Sequence, residues 1–163
     1  MIIFFSALSI FLIDQIIKFY ILKHLCLGQE IPVIKNIFSI SFVTNKGIAF
    51  GLFSNSNFPF VLISIAVLVC MTLVFISFNK DAISKKARVW IKIAYGLILA
   101  GAFSNMLDRI RIGEVIDFLD FHIWPVFNIG DSAICVGAGI FVLNILKNKS
   151  KKFSTKQKKQ LML

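Results

Sequence analysis

The sequence predicts an all-α membrane protein of four transmembrane helices with a small extracytoplasmic β element. Three observations predict it. The 163-residue chain is 58% hydrophobic with a mean hydropathy of +0.85, and its apolar residues run in long blocks rather than being broken up by charge. Four of those blocks approach the roughly 20 helical residues that cross a bilayer. The 18 Lys and Arg residues against 8 Asp and Glu are segregated along the chain, which is the pattern that sets membrane orientation. Length and composition leave room for one integral membrane domain over 1–163, ending in a basic tail from about 147.

The first block, about Ile2–Ile21, is interrupted by Asp14 and Lys18. It has neither a basic leading region nor a small-residue cleavage site, so it reads as a retained helix and not as a signal peptide. The second, about Phe58–Phe78, carries no charge, and the third runs from about Val89 to Leu107. The fourth is short. The uncharged run Ser132–Leu146 makes about 22 Å of helix at ~1.5 Å per residue, less than a hydrocarbon core of about 30 Å. It reaches full length only by starting near Phe127, which draws Asp131 to the membrane boundary.

Between the first two blocks, "IKNIFSISFVTNKGIAFGLF" alternates loosely, is rich in Ile, Phe and Val, and holds Gly47 and Gly51. It predicts short strands with turns on the membrane surface. The loop 79–88 and the tail from 147 together hold eleven Lys and Arg residues, and the opposite segments hold five. That asymmetry predicts a cytoplasmic middle loop and cytoplasmic termini. The tail reads as an unstructured anchor to anionic lipid and not as a nucleic-acid arm. Cys26, Cys70 and Cys135 are widely spaced, and support neither a disulfide framework nor a zinc site.

Four of the eight acids, Glu114, Asp117, Asp120 and Asp131, fall within "GEVIDFLDFHIWPVFNIGD", and Asp108 lies just upstream. Ionisable groups at membrane depth are costly and tend to face an interior or a site. Asp120 and Glu114 fit an interfacial loop. The rest suit a pair of aspartates sharing one proton, one acting on water and the other on a carbonyl oxygen. His24 and His122 stand alone as interfacial residues, and metal-ligand spacings such as H-x-x-x-H are absent. The alternative is a proton- or ion-coupled small transporter. That reading expects carboxylates spread through the membrane's depth, whereas the second block has none.

"DQIIK" at 14–18, "NKGIAFG" at 45–51, "SNMLDR" at 104–109, "GEVIDF" at 113–118 and "FNIGDSAI" at 127–134 occur in order among the predicted helices. Together they resemble the motif blocks of the lipoprotein signal peptidase (signal peptidase II) family. The resemblance implies an aspartic endopeptidase of the bacterial inner membrane, with its active site near the outer face. Such enzymes cut prolipoproteins before a diacylglyceryl cysteine and need no cofactor and no metal. Asp117 and Asp131 then fall at the catalytic dyad. Asn45, Asn105, Arg109 and Asn128 match positions that hold substrate or orient the dyad, and Phe50 matches one lining the lipid-facing groove. Asp14 and Asp108 match acidic positions read as structural support. Asp108 keeps a second reading, because Asn-x-x-Asp occurs at both 105–108 and 128–131. Against the family pattern, Ser104 and Ala100 each stand where Gly is frequent, and Gly130 stands where Ala is common.

Overall fold

The computed structural model describes residues 1–46, 58–80 and 84–160. Among the described residues, four helices and three strands follow one another as α1 (Ile2–His24), β1 (Glu30–Ile34), β2 (Phe38–Asn45), α2 (Phe58–Lys80), α3 (Lys85–Ile112), β3 (Val115–Asp120) and α4 (Ile129–Gln160). Among the described residues, α1, α3 and the stretch Ile129–Lys147 of α4 are long and apolar enough to cross a membrane, while α2 contributes the apolar stretch Ser64–Ile76. Phe50, Gly47 and Gly51 lie outside the described residues.

The burial of α1 is inverted relative to a soluble helix. Its buried residues are Asp14, Lys18 and Ile21, while Phe4, Phe5, Leu12, Ile16 and Phe19 are exposed. A surface more apolar than the interior is stable only in lipid, where polar groups must find partners inside the protein. This is a membrane protein.

Helix α3 is the central post, packed against α1, α2, α4 and β3. Its buried face is built from small residues, including Ala94, Gly96, Ala100, Gly101, Ala102 and Ser104. Small side chains let backbones approach, which drives helix association where there is no water to expel. The approach to α4 is close enough that a Cβ on Gly101 would run into the Gly130 carbonyl oxygen. Ser84 caps the start of α3, its hydroxyl accepting from the Ala87 N–H at 3.2 Å. Gly113, at φ 86°, ends it in the left-handed conformation that favours glycine. The chain then turns at once into β3.

The antiparallel sheet, in order β1-β2-β3, lies at the end of the bundle where α1 and α3 finish and α4 begins. The expected strands of the 22–57 region are β1 and β2. The third strand corrects the reading of the segment around Glu114 and Asp120 as an interfacial loop. "VIDFLD" lacks the polar/apolar alternation of a half-exposed strand because Val115, Ile116, Asp117 and Phe118 are all buried. It is covered on both sides. Ile21, Phe42, Ile116 and Phe118 form the core that binds sheet to α1. A second correction concerns the tail. Helix α4 continues through Gln160, where an unstructured tail is expected. No Pro or Gly interrupts 140–160, and Lys and Gln are adequate helix formers.

The Gly101–Gly130 contact is asymmetric. A Cβ on Gly130 would sit 3.0 Å from Asn128 Oδ1 and 3.2 Å from Gly101 O, tight but not colliding. Gly101→Ala is therefore expected to lower the unfolding midpoint in detergent by the equivalent of about 1–3 kcal/mol, and Gly130→Ala by clearly less. Equal midpoints for the two variants would contradict this packing.

Candidate active site

The site grows from one buried cation. Lys18 is 1% exposed, and its ammonium group has three N–H donors. It reaches Asp14 Oδ2 at 2.7 Å and Asp108 Oδ2 at 2.7 Å, and donates to Asn105 Oδ1 at 3.0 Å. The carboxylates are satisfied in turn. Asp14 accepts from the Ser104 hydroxyl at 2.6 Å and from the Gly130 N–H at 3.1 Å. Asp108 accepts from Gln15 Nε2 at 2.9 Å and from the Ile116 N–H at 3.3 Å. The cluster thus joins α1, α3, β3 and the first turn of α4.

From here the order passes to the other two acids. With Lys18 donating to its oxygen, the Asn105 amide turns its nitrogen to Asp131 Oδ1 at 2.7 Å. Asn128, fully buried, donates through Nδ2 to Asp117 Oδ1 at 2.6 Å and to Asn105 Oδ1 at 3.1 Å. Its Oδ1 accepts from the Asp131 N–H at 2.8 Å, and Asp131 Oδ2 accepts from the Asn128 N–H at 3.4 Å. That reciprocal pair is a capping box at the start of α4. The same Asn128 side chain begins the helix carrying Asp131 and holds Asp117 on the strand beside it. Asn45, at the end of β2, donates to Asp117 Oδ2 at 3.1 Å.

The fold therefore gathers Asp117, Asp131, Asn45, Asn105 and Asn128 into one constellation. Arg109 lies one helical turn beyond Asn105, donates to its carbonyl at 3.4 Å, and is within electrostatic reach of Asp131, Asp117 and Asp108. Asp14 and Asp108 are in the ion cluster behind the pair. The two Asn-x-x-Asp spacings have different structural meanings. At 128–131 the spacing is a helix cap, while 105–108 lies inside α3, where Asp108 turns back onto Lys18. Three partners had no assigned part in the reading of the residues. Lys18 shares a helix face with Asp14 at i+4 and with Gln15 at i+3, and the ammonium inside an apolar run was the available signal. Ser104, one of the departures from the family pattern, links Asp14 to Gln15 through its hydroxyl.

Asp117 is 2% exposed. Loss of water, and then the nearby negative charge of Asp131, push its carboxyl from 3.8 up to about 6, against the hydrogen bonds from Asn45 and Asn128 and the charge of Lys18. Asp117 keeps its proton into the weakly acidic range, which suits a residue that donates and recovers a proton.

A family model described as signal peptidase (SPase) II matches residues 6–147. The chain belongs to the signal peptidase II family. It is 41% identical over 138 residues to the lipoprotein signal peptidase of Syntrophotalea carbinolica, covering 80% of this chain and 82% of that one. It is 33% identical over 141 residues to the lipoprotein signal peptidase of Halothermothrix orenii, covering 86% and 92%. A solved bacterial membrane enzyme superposes with a TM-score of 0.79 at 31% identity, over 92% of this chain and 90% of the other. A second superposes at 0.77 with 30% identity.

The raised carboxyl has a consequence for stability. A folded state that holds a proton the unfolded chain has released loses stability as pH rises from about 4 to about 6, and the loss levels off above that. For a displacement from 3.8 to about 6 the cost is about 3 kcal/mol. Asp117→Asn removes the titration, so the fall in unfolding midpoint between pH 4.5 and 7.5 should be smaller in this variant than in the parent protein. Parallel pH curves for the two would show that Asp117 is not the strained carboxyl.

Proposed function

We propose that the protein is an aspartic endopeptidase that removes signal peptides from lipid-modified prolipoproteins, cutting before the diacylglyceryl cysteine. The observation carrying this reading is the single Asn128 side chain that holds Asp117 with its nitrogen and caps Asp131's helix with its oxygen. Two carboxyls presented this way, one with a raised affinity for its proton, can work on one water. The ionised member takes a proton from the water as it attacks the scissile carbonyl. The protonated member gives its proton to the carbonyl oxygen. Asp117, whose buried carboxyl holds its proton up to about 6, takes the acid role, and Asp131 the base role.

Arg109, a planar group with five donors, grips substrate main-chain carbonyls beside the pair. Asp14 and Asp108 support the site through Lys18. Phe50 lines the groove for the substrate's lipid. Each buried CH₂ contributes about 0.8 kcal/mol, so the diacylglyceryl chains are the largest handle the substrate offers, and surrounding membrane lipids compete for the same groove. The transporter alternative finds no support, since the acids meet at one end of the bundle.

The location we infer is the bacterial inner membrane, with α2 as a fourth crossing helix. The sheet stands on the outer side, and both termini and the α2–α3 loop are cytoplasmic. The eleven-to-five charge asymmetry supports this orientation.

Three experiments bear on the proposal. Purified protein incubated with a lipidated precursor peptide should release the signal segment before the modified cysteine, and cut the unmodified peptide about 100-fold or more slowly. Asp117→Asn and Asp131→Asn should each abolish cleavage in a folded protein, and the double variant should be no worse than either single one. Asp108→Asn should cost thermal stability together with activity. Near-normal turnover by Asp117→Asn, beside a stable but inactive Asp108→Asn, would transfer the chemistry to Asp108. For orientation, in a chain whose native cysteines are replaced by serine, a cysteine at Asn36 should label from outside the cell and one at Ser84 only after permeabilisation. Outside labelling at Ser84 inverts the topology.

A further inference from the structure

On the opposite face of β3 from Asp117 lies a second polar cluster. Strand alternation sends residues an odd number apart to opposite faces, so Asp120 points away from the dyad. Its strand partner is Ser39 on β2, and Ser41 donates to Asp120 Oδ2 at 3.1 Å. Glu30, at the start of β1, accepts from the Ser39 hydroxyl at 2.5 Å. His122, just past β3, completes the group. One ring nitrogen lies 3.5 Å from Asp120 Oδ1, and the other lies 3.6 Å from Glu30 Oε1 and 3.2 Å from the Ser39 hydroxyl.

Ser39, His122 and Asp120 have the residue types of a nucleophilic triad, but the chemistry does not follow. The Ser39 side chain is fully buried, and its one proton goes to Glu30, not to the imidazole. What remains is a donor set. Glu30, Asp120 and His122 each offer one ligand atom, and the three atoms lie within 4.8 Å of one another.

We propose that Glu30, Asp120 and His122 form a binding site for a divalent transition-metal ion of the zinc type. Imidazole with carboxylates is a donor set this class of ion accepts. Bonds of about 2.0–2.2 Å in a tetrahedron separate ligand atoms by about 3.3 Å, so side-chain rotations of an ångström or two close the set. Two carboxylates around a neutral imidazole leave net negative charge, of which Lys35, on the rim of the same depression of about 440 Å³, offsets one unit. Glu30 is about half exposed and His122 about one third, which leaves room for water to complete the coordination. The Ser39 hydroxyl against the imidazole and Ser41 on Asp120 are the outer partners that hold ligands in orientation. Because the donors come from β1, from the end of β3 and from two residues beyond it, a bound ion ties the β1–β2 hairpin to the segment leading through Phe127 to Asn128. Sequence spacing does not reveal such a site, since Glu30 and Asp120 are 90 positions apart.

The test titrates Co(II), and then zinc, into the purified full-length protein in detergent. The expected result is one equivalent bound, with visible d–d absorption, no thiolate charge-transfer band, and a higher unfolding midpoint with zinc that chelator reverses. His122→Ala and Glu30→Gln should each lose the absorption and the zinc shift, while His24→Ala keeps both. If His122→Ala fails to fold, Glu30→Gln alone decides, because its side chain is half solvent-exposed. No binding by the parent protein, binding unchanged in Glu30→Gln, or a thiolate band would overturn the site.

Discussion

Everything at the polar end of the bundle depends on keeping the Lys18 ammonium charged and fully bonded away from water. A buried charge is tolerated only when it is paired and its remaining donors are used, and Lys18 uses all three on Asp14, Asp108 and Asn105. Removing one member of such a group typically costs about 3–5 kcal/mol, because the others stay buried without compensation. The same arrangement does more than hold helices together. By taking the Asn105 oxygen, Lys18 fixes which end of that amide faces Asp131. Asn128, in turn, fixes Asp117 relative to both. An amide has two ends of similar shape and opposite polarity, and the cation decides between them.

The site therefore has two layers with opposite electrostatics. In the inner layer two carboxylates share one ammonium, and the ions serve as ties. In the outer layer, the burial of Asp117 and then the nearby charge of Asp131 are expressed as a retained proton on Asp117. Had Lys18 reached Asp117 directly, it would have held that carboxyl ionised. Interposing Asn105 and Asn128 transmits the geometry and attenuates the charge.

Much of this was legible in the sequence, for identifiable reasons. The helices followed from long apolar runs, and the β1–β2 hairpin from Ile, Phe and Val around a turn. The need for Asp131 to start α4 followed from simple length. Motif order brought Asn45, Asn105, Asn128, Asp117 and Asp131 into one list, and the fold brings the same five together. Strand β3 was not legible, because a strand buried on both sides loses the period-two pattern by which strands are recognised. The division between Asp108 and Asp117 came from the resemblance and not from the residues themselves. Both sit in short polar motifs, and only the helical position of 105–108 shows that Asp108 turns inward to Lys18. The role of Ser104 depends on the approach of α1 to α3, which a linear pattern does not encode. The tail differed because flanking charge says little about helix formation in a segment free of Pro and Gly.

The inverted burial of α1 has a consequence for how the chain is made. Asp14 and Lys18 enter the membrane with the first helix, but their partner Ser104 emerges from the ribosome 90 residues later. At ~5–20 residues per second that interval is roughly 5–20 s. Throughout it the only available neutralisation is the pair itself, one turn apart on the same helix. The i,i+4 spacing thus acts first as a temporary self-bandage, which lets α1 wait in or beside the insertion machinery. Only afterwards does it become one edge of the network. Assembly of the peptidase site is then the last event of membrane integration, because the helix that starts at Asn128 must arrive before Asp14 has its Gly130 partner.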